Sequence, residues 1–194
     1  AYFRMLEQDL QGRPYVKAEV RSRLIEGPLA DRSEGAVERK MQNVSAVLQD
    51  QGLPWIDGYK PFAAYQKDYF PHRVLQAAEE TRIRELDPAH RPTADAEELD
   101  KRTQVILKRG KVQKPTGNKR PRKVPVEGSA RHERDPQVRA WVLEEAKGSC
   151  ERCGDPAPFA RDNGRPYLEV HHVLPLGEEG PDTVDNAVAL CPNC

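Results

Sequence analysis

Four cysteines and two adjacent histidines are concentrated near the end of this 194-residue chain. Cys150-Glu151-Arg152-Cys153 and Cys191-Pro192-Asn193-Cys194 form matched C-x2-C pairs, with Leu168-Glu169-Val170-His171-His172 between them. They include every cysteine of the chain and two of its five histidines. Zinc takes thiolate ligands tetrahedrally, and two residues between cysteines let one tight turn present both sulfurs to one ion. The spacing therefore predicts a structural Zn2+ site at Cys150, Cys153, Cys191 and Cys194. Two disulfides, or four free thiols in a core, are the alternatives. Disulfides need an oxidising compartment, and no basic-plus-apolar signal segment opens the chain. The expectation is thus a reduced, metal-bound site in a cytoplasmic protein. Successive side chains on a strand point to opposite faces, so one of the paired imidazoles can bind a metal while the other holds a water.

The elements that must position these residues can be read around them. Asp135 is a helix cap and Pro136 suits a first turn; Val138, Trp141, Val142 and Ala146 make an apolar face that Gly148 ends, delivering Cys150. Asp162-Asn163-Gly164 is a turn signal. Tyr167 to Leu174 reads as a strand, and Ala187 to Leu190 as a second one running into the last cysteine pair. The expected result is a short hairpin stapled at one end by zinc.

Tyr167-Leu-Glu-Val-His-His-Val-Leu-Pro-Leu176, followed by Asp185-Asn-Ala-Val-Ala-Leu-Cys-Pro-Asn-Cys194, resembles the HNH endonucleases, which have the ββα-metal fold. More narrowly, the run from Arg134-Asp135-Pro136 to Cys194 is similar to the nuclease domain of McrA-type, modified-cytosine-dependent restriction enzymes. The resemblance implies that His172 is the general base, that His171 is a ligand of a catalytic divalent ion, and that Asn186 fixes the loop between the strands. A neutral imidazole can accept a proton from water near neutral pH, and a divalent ion stabilises the phosphate and the departing oxygen. Mg2+, Mn2+, Co2+ and Ni2+ all suit that role. In the family, a helix follows the last cysteine pair with one histidine at once and usually another a turn later. The resemblance therefore implies further metal ligands after Cys194, without which the residues shown should not cut DNA. The text already under way at Ala1-Tyr2-Phe3 likewise suggests that residues precede it.

The whole chain is polar, 37% hydrophobic and 32% charged, with 17 prolines and 13 glycines. That composition favours small modules over one large core. No apolar run approaches the roughly 20 residues needed to span a bilayer. Helices are expected from Arg4 to Leu10, Lys17 to Glu26, Ser33 to Leu48, His72 to Leu86 and Glu97 to Arg109. On the third of these, Val37, Met41, Val44 and Leu48 share one face. Arg39, Lys40, Gln42 and Asn43 fall on the other, where with Arg32 and Ser33 they could meet phosphates and base edges. Two helices in this arrangement look like a helix-turn-helix, although an ordinary amphipathic helix with a solvated face has the same pattern. The aromatic loop from Gly52 to Phe62 could pack on the helices or stack on a base.

Formal net charge is zero, yet Lys108 to Lys123 holds eight Lys or Arg and no acid. Lys119, Arg120, Arg122 and Lys123 could neutralise phosphates; equally, such a stretch can be a solvated linker. The expected class is α+β, in three parts. Residues 1–90 form a mainly helical DNA-recognition module, 91–134 a charged and basic linker, and 135–194 a zinc-stapled HNH nuclease domain. The expected activity is phosphodiester hydrolysis on double-stranded DNA carrying methyl, hydroxymethyl or phosphorothioate groups, by a possible homodimer. A non-catalytic zinc-containing DNA-binding protein and a sequence-specific HNH nuclease are the competing readings.

Overall fold

A computed structural model describes residues 1–126 and 129–194, which divide into two compact units. The first comprises Ala1–Pro88 with Arg109–Lys111; the second comprises Ala89–Lys108 with Val112–Cys194. Among the described residues, no helix is long and apolar enough to cross a membrane.

The first unit is helical: α1 (Tyr2–Leu10), α2 (Lys17–Ile25), α3 (Glu34–Asp50), α4 (Phe70–Glu80) and α5 (Ile83–Leu86). Ser33 caps α3, its Oγ accepting from the Ala36 amide at 3.2 Å. The apolar positions Val37, Met41, Val44 and Leu48 are all buried, packed with Tyr2, Met5 and Leu6 of α1, Ile56, Val74 and Ile83. Tyr2 enters this core with its hydroxyl satisfied, hydrogen-bonded to Ser45 Oγ at 2.7 Å and accepting from the Ile56 amide at 3.0 Å. Burial pushes that phenol up to about 12.

Three expectations for this unit are corrected. Residues 26–33 separate α2 from α3, a longer connection than the roughly three- or four-residue turn of a helix-turn-helix. The helix expected over 72–86 is broken: Thr81 Oγ1 donates to the Ala77 carbonyl at 2.7 Å, and Arg82 turns left-handed at φ 51° before α5 begins. Asn43, expected on the DNA-facing side of α3, is buried, and its Nδ2 donates to the Ala64 carbonyl at 3.1 Å. The reason is that α3 buries a stripe wider than its four periodic apolar residues, taking in Asn43, Ser45, Ala46 and Val47 as well.

The second unit contains α6 (Ala96–Lys108), β1 (Lys123–Val126), β2 (Ser129–His132), α7 (Pro136–Glu145), β3 (Glu169–His172) and β4 (Ala187–Leu190). α6 packs along α7, which in turn covers the β3–β4 hairpin. Asp100 of α6 pins the arrangement, pairing with Arg139 of α7 at 2.8 Å and with Arg161 at 3.0 Å. β3 and β4 are antiparallel, with His171 opposite Val188 and His172 opposite Ala187. The strand is shorter than the expected 167–174: beyond His172 the facing chain is the helical turn Val184–Asn186, and only the Val173 amide still reaches it, donating to the Asn186 carbonyl.

The helix expected over Glu97 to Arg109 forms as α6, but the rest of the expected linker over 91–134 is corrected: Lys123–Val126 pairs antiparallel with Ser129–His132; residues 127 and 128 lie outside the described residues. Thr93 bridges to Arg134, and Asn118 to Asp182 through paired backbone hydrogen bonds of 2.7 and 2.8 Å. The second of these contacts depends on Gly117 at φ +66°, where a Cβ would lie 2.4 Å from the Asp182 carbonyl oxygen. From Gly110 to Arg134 low apolar content leaves little to bury, but backbone pairing needs no apolar side chain.

Candidate active site

Cys150 sits just past α7, where Gly148 at φ +81° turns the chain; its amide donates to the Asp155 carbonyl at 2.8 Å. The Glu151 amide donates to the Ala189 carbonyl of β4 at 2.9 Å, which sets the first cysteine turn against the strand that leads into the second. Glu151 Oε2 returns the contact by accepting from the Ala189 amide at 2.5 Å. Within the second turn the Cys194 amide donates to the Cys191 carbonyl at 3.0 Å.

The four Sγ atoms all lie within 4.8 Å of one another, and Cys153 and Cys191 are 4.0 Å apart. A tetrahedron of Zn–S bonds of about 2.3 Å requires sulfurs roughly 3.8 Å apart, so the cluster fits zinc. Its electrostatics agree. The amides of Cys153 and Cys191 draw Cys150 down to about 6. At Cys153 the Asp155 amide favours the thiolate, but the Cys150 sulfur, burial and the Cys194 and Cys191 sulfurs push the thiol up to about 12. Four sulfurs this close cannot all ionise without a cation among them, and a divalent ion supplies that charge.

The hairpin gives the two histidines different surroundings. His171 is exposed, with Nε2 3.2 Å from Glu169 Oε2, two residues back on the same face of β3. His172 is largely buried, and its Nε2 lies 2.9 Å from Oδ1 of the buried Asp182. Asn186 closes the loop between the strands. Its Oδ1 accepts from the Leu174 amide at 2.8 Å, and its Nδ2 donates to the carbonyls of Leu174 and Pro181 at 2.9 and 2.8 Å. Both histidines line a cleft of about 560 Å³ together with Glu169, Tyr167, Arg134 and Arg139. Burial, then the neighbouring Arg139, pulls the Arg134 guanidinium down, with the Asp182 carboxylate opposing. The cleft thus sets the Arg134 guanidinium beside two imidazoles, an arrangement suited to a phosphodiester, with Arg139 held to Asp100 at its wall.

His171 and Glu169 offer two donors to a catalytic ion. Among the described residues no cluster of three His, Cys, Asp or Glu forms around them, the four cysteines being the cluster that does form. Two protein donors are compatible with a hard divalent ion such as Mg2+, which keeps several waters and binds substrate oxygens directly.

The residues expected to touch DNA are spread over both units. In the first, Arg32 is exposed and pairs with Asp31 at 3.3 Å, and the Ser33 hydroxyl is engaged as the α3 cap. Arg39 and Lys40 are exposed above the rings of Phe62 and Phe70, 4.3 and 4.0 Å from the centroids, while Gln42 is half-buried. In the second, Lys119, Arg120 and Lys123 are exposed. Arg122 is also exposed but binds Glu133 at 2.6 Å, so its charge is already matched.

Sequence reasoning missed Asp182, Arg134 and Arg139. Glu169 was findable, since a residue two before His171 on a strand shares its face. Asp182 lies ten residues beyond His172 in a loop and reaches it only through the fold.

Residues 150–194 match the HNH endonuclease family. Over 111 residues, 57% of this chain, the sequence is 48% identical to the type IV methyl-directed restriction enzyme EcoKMcrA of Escherichia coli K12. The chain covers 39% of that relative's length. The matched stretch is longer than the segment from Asp135 to Cys194, so the similarity reaches beyond the expected nuclease domain.

Proposed function

We propose that this chain carries the nuclease end of a type IV-like restriction endonuclease that hydrolyses double-stranded DNA bearing a modified base. The observation that carries the reading is the zinc-suited hairpin, which holds His171 and His172 at a cleft with two arginines in a segment matching the HNH endonucleases. His172 takes a proton from the attacking water, while Arg134 holds a phosphate oxygen and Arg139, paired with Asp100, fixes the cleft wall. Asn186 keeps the loop after β3 in register. A divalent ion held by His171, with Glu169 alongside, would supply charge stabilisation for the phosphate and the leaving oxygen. Zn2+ at the four cysteines is structural.

Dependence on methylated DNA is proposed from the E. coli relative, whose name specifies methyl direction. A hydroxymethyl or phosphorothioate group is the alternative mark. Arg39 and Lys40 of the first unit and Lys119, Arg120 and Lys123 of the second are the proposed DNA contacts, in a cytoplasmic protein. Cutting both strands at one place calls for two copies of the single hairpin, hence a homodimer on the DNA.

The test is a cleavage assay of the full-length protein with Mg2+ or Mn2+ on methylated, hydroxymethylated, phosphorothioated and plain duplexes, beside His172→Ala. Cutting of a modified duplex alone, reduced about 10²–10⁴-fold in the variant, is the expected result. Undiminished cutting by the variant sinks the assigned base, and equal cutting of plain DNA replaces modification dependence with sequence recognition.

A further inference from the structure

Asp182 has its polar groups committed on several sides. Its side chain is 3% exposed, and Oδ1 lies 2.9 Å from His172 Nε2. Oδ2 accepts from the Asp135 amide at 2.5 Å, at the capped start of α7. Its own amide and carbonyl are both bonded to Asn118. The carboxylate therefore cannot swing away from the imidazole without breaking its bond to the Asp135 amide, and the backbone that carries it is fixed by Asn118. A carboxylate accepts at both oxygens and has no hydrogen to give, so the hydrogen shared with His172 belongs to the imidazole. The His171–Glu169 contact differs, being longer at 3.2 Å and solvent-exposed on both sides.

We propose that Asp182 is the positioning residue of the site: it holds His172 as the Nε2–H tautomer and leaves Nδ1 as the nitrogen that receives the proton of water. The proposal deepens the nuclease reading and rests on it. In the step served, a bond forms between the water oxygen and phosphorus while the bond from phosphorus to the leaving oxygen breaks. The water proton passes to Nδ1, and the leaving oxygen takes a proton from solvent. The resulting imidazolium keeps its Nε2–H on the Asp182 carboxylate, which stabilises the charge that develops. The spacing of the two histidines cannot reveal this, because it does not say which ring nitrogen is occupied.

The test reads the tautomer directly. In the ¹⁵N-labelled, zinc-loaded chain, long-range ¹H–¹⁵N correlation at His172 should show Nε2 protonated and Nδ1 bare. Asp182→Asn keeps the shape but reverses the donor: with its oxygen held by the Asp135 amide, the Asn NH₂ faces Nε2, so the proton should move to Nδ1. In the full-length protein the same variant should lower kcat about 10²–10⁴-fold, with KM within about threefold and zinc content unchanged. Proton occupancy at Nδ1 in the wild type overturns the proposal without any variant. A variant with the wild-type tautomer and wild-type kcat overturns it as well. A full-length protein that shows the Nε2–H form yet leaves every duplex uncut upholds Asp182 and instead overturns the nuclease reading.

Discussion

The helical unit fills its interior with large apolar side chains, whereas the core against the β3–β4 hairpin is closed by small ones and fixed polar groups. Met5, Leu6, Leu48, Ile56 and Ile83 are each no more than 1% exposed in the first. The core around β3 and β4 consists of Ala187, Ala189, Cys150, Cys191, Val138, Val142 and Leu168. Around it stand Asp182, Asn186 and the Asp100 pin, each holding segments distant in sequence. An apolar core tolerates some repacking but positions few polar atoms. A small core stapled by metal and polar contacts positions many, at the cost of depending on each staple. That dependence suits a unit that must hold two imidazoles at a cleft.

Removing the metal should separate the two units most sharply. Structural zinc sites contribute on the order of 10 kcal/mol of folding free energy. A chelator, or Cys150→Ser, should therefore abolish the melting transition of the hairpin unit while the helical circular-dichroism signal of α1 to α5 persists. An unchanged transition would break the comparison. The reciprocal change is Leu48→Ala, which removes a fully buried side chain and should destabilise the helical unit by about 2–5 kcal/mol in urea titrations. Zinc stoichiometry should stay as in the wild type.

The smallest effect concerns Asp135. Its burial outweighs the help of the Gln137 amide and, with the Asp182 charge nearby, pushes its carboxyl up to about 6. The folded form thus holds this proton more tightly than the unfolded chain. Its stabilising contribution is full below the ordinary carboxyl value near 4 and is lost as pH rises through about 6, by roughly 2 kcal/mol. Denaturation curves of wild type and Asp135→Asn should differ in slope across that window and run parallel above it. Parallel curves throughout would place the Asp135 carboxyl in an ordinary environment.

What was legible in the sequence follows the same division. The cysteine spacing announces its chemistry because metal ligation is local in geometry, and the sulfurs gather as expected. The helix over Glu34–Asp50 was legible from its cap and apolar period. The burial of Asn43 was not, because it depends on what lies opposite, namely the Ala64 carbonyl. The basic stretch misled for another reason. Composition reports what a segment can bury, but Lys123–Val126 and Asn118 are ordered by backbone pairing, which leaves no mark on composition. Asp182 was invisible for the simplest reason: its partners, His172, Asp135 and Asn118, lie 10, 47 and 64 positions away.

Gly117 shows where such contacts restrict inheritance. The exposed Lys119, Arg120 and Lys123 that follow it have side chains in solvent, with room for exchange. At Gly117, even one added methyl would meet the Asp182 carbonyl oxygen at 2.4 Å and the Thr183 Cα at 2.9 Å. A silent-looking codon in a polar stretch is thereby bound to the geometry of a histidine 55 positions further on, and the gene has no latitude there.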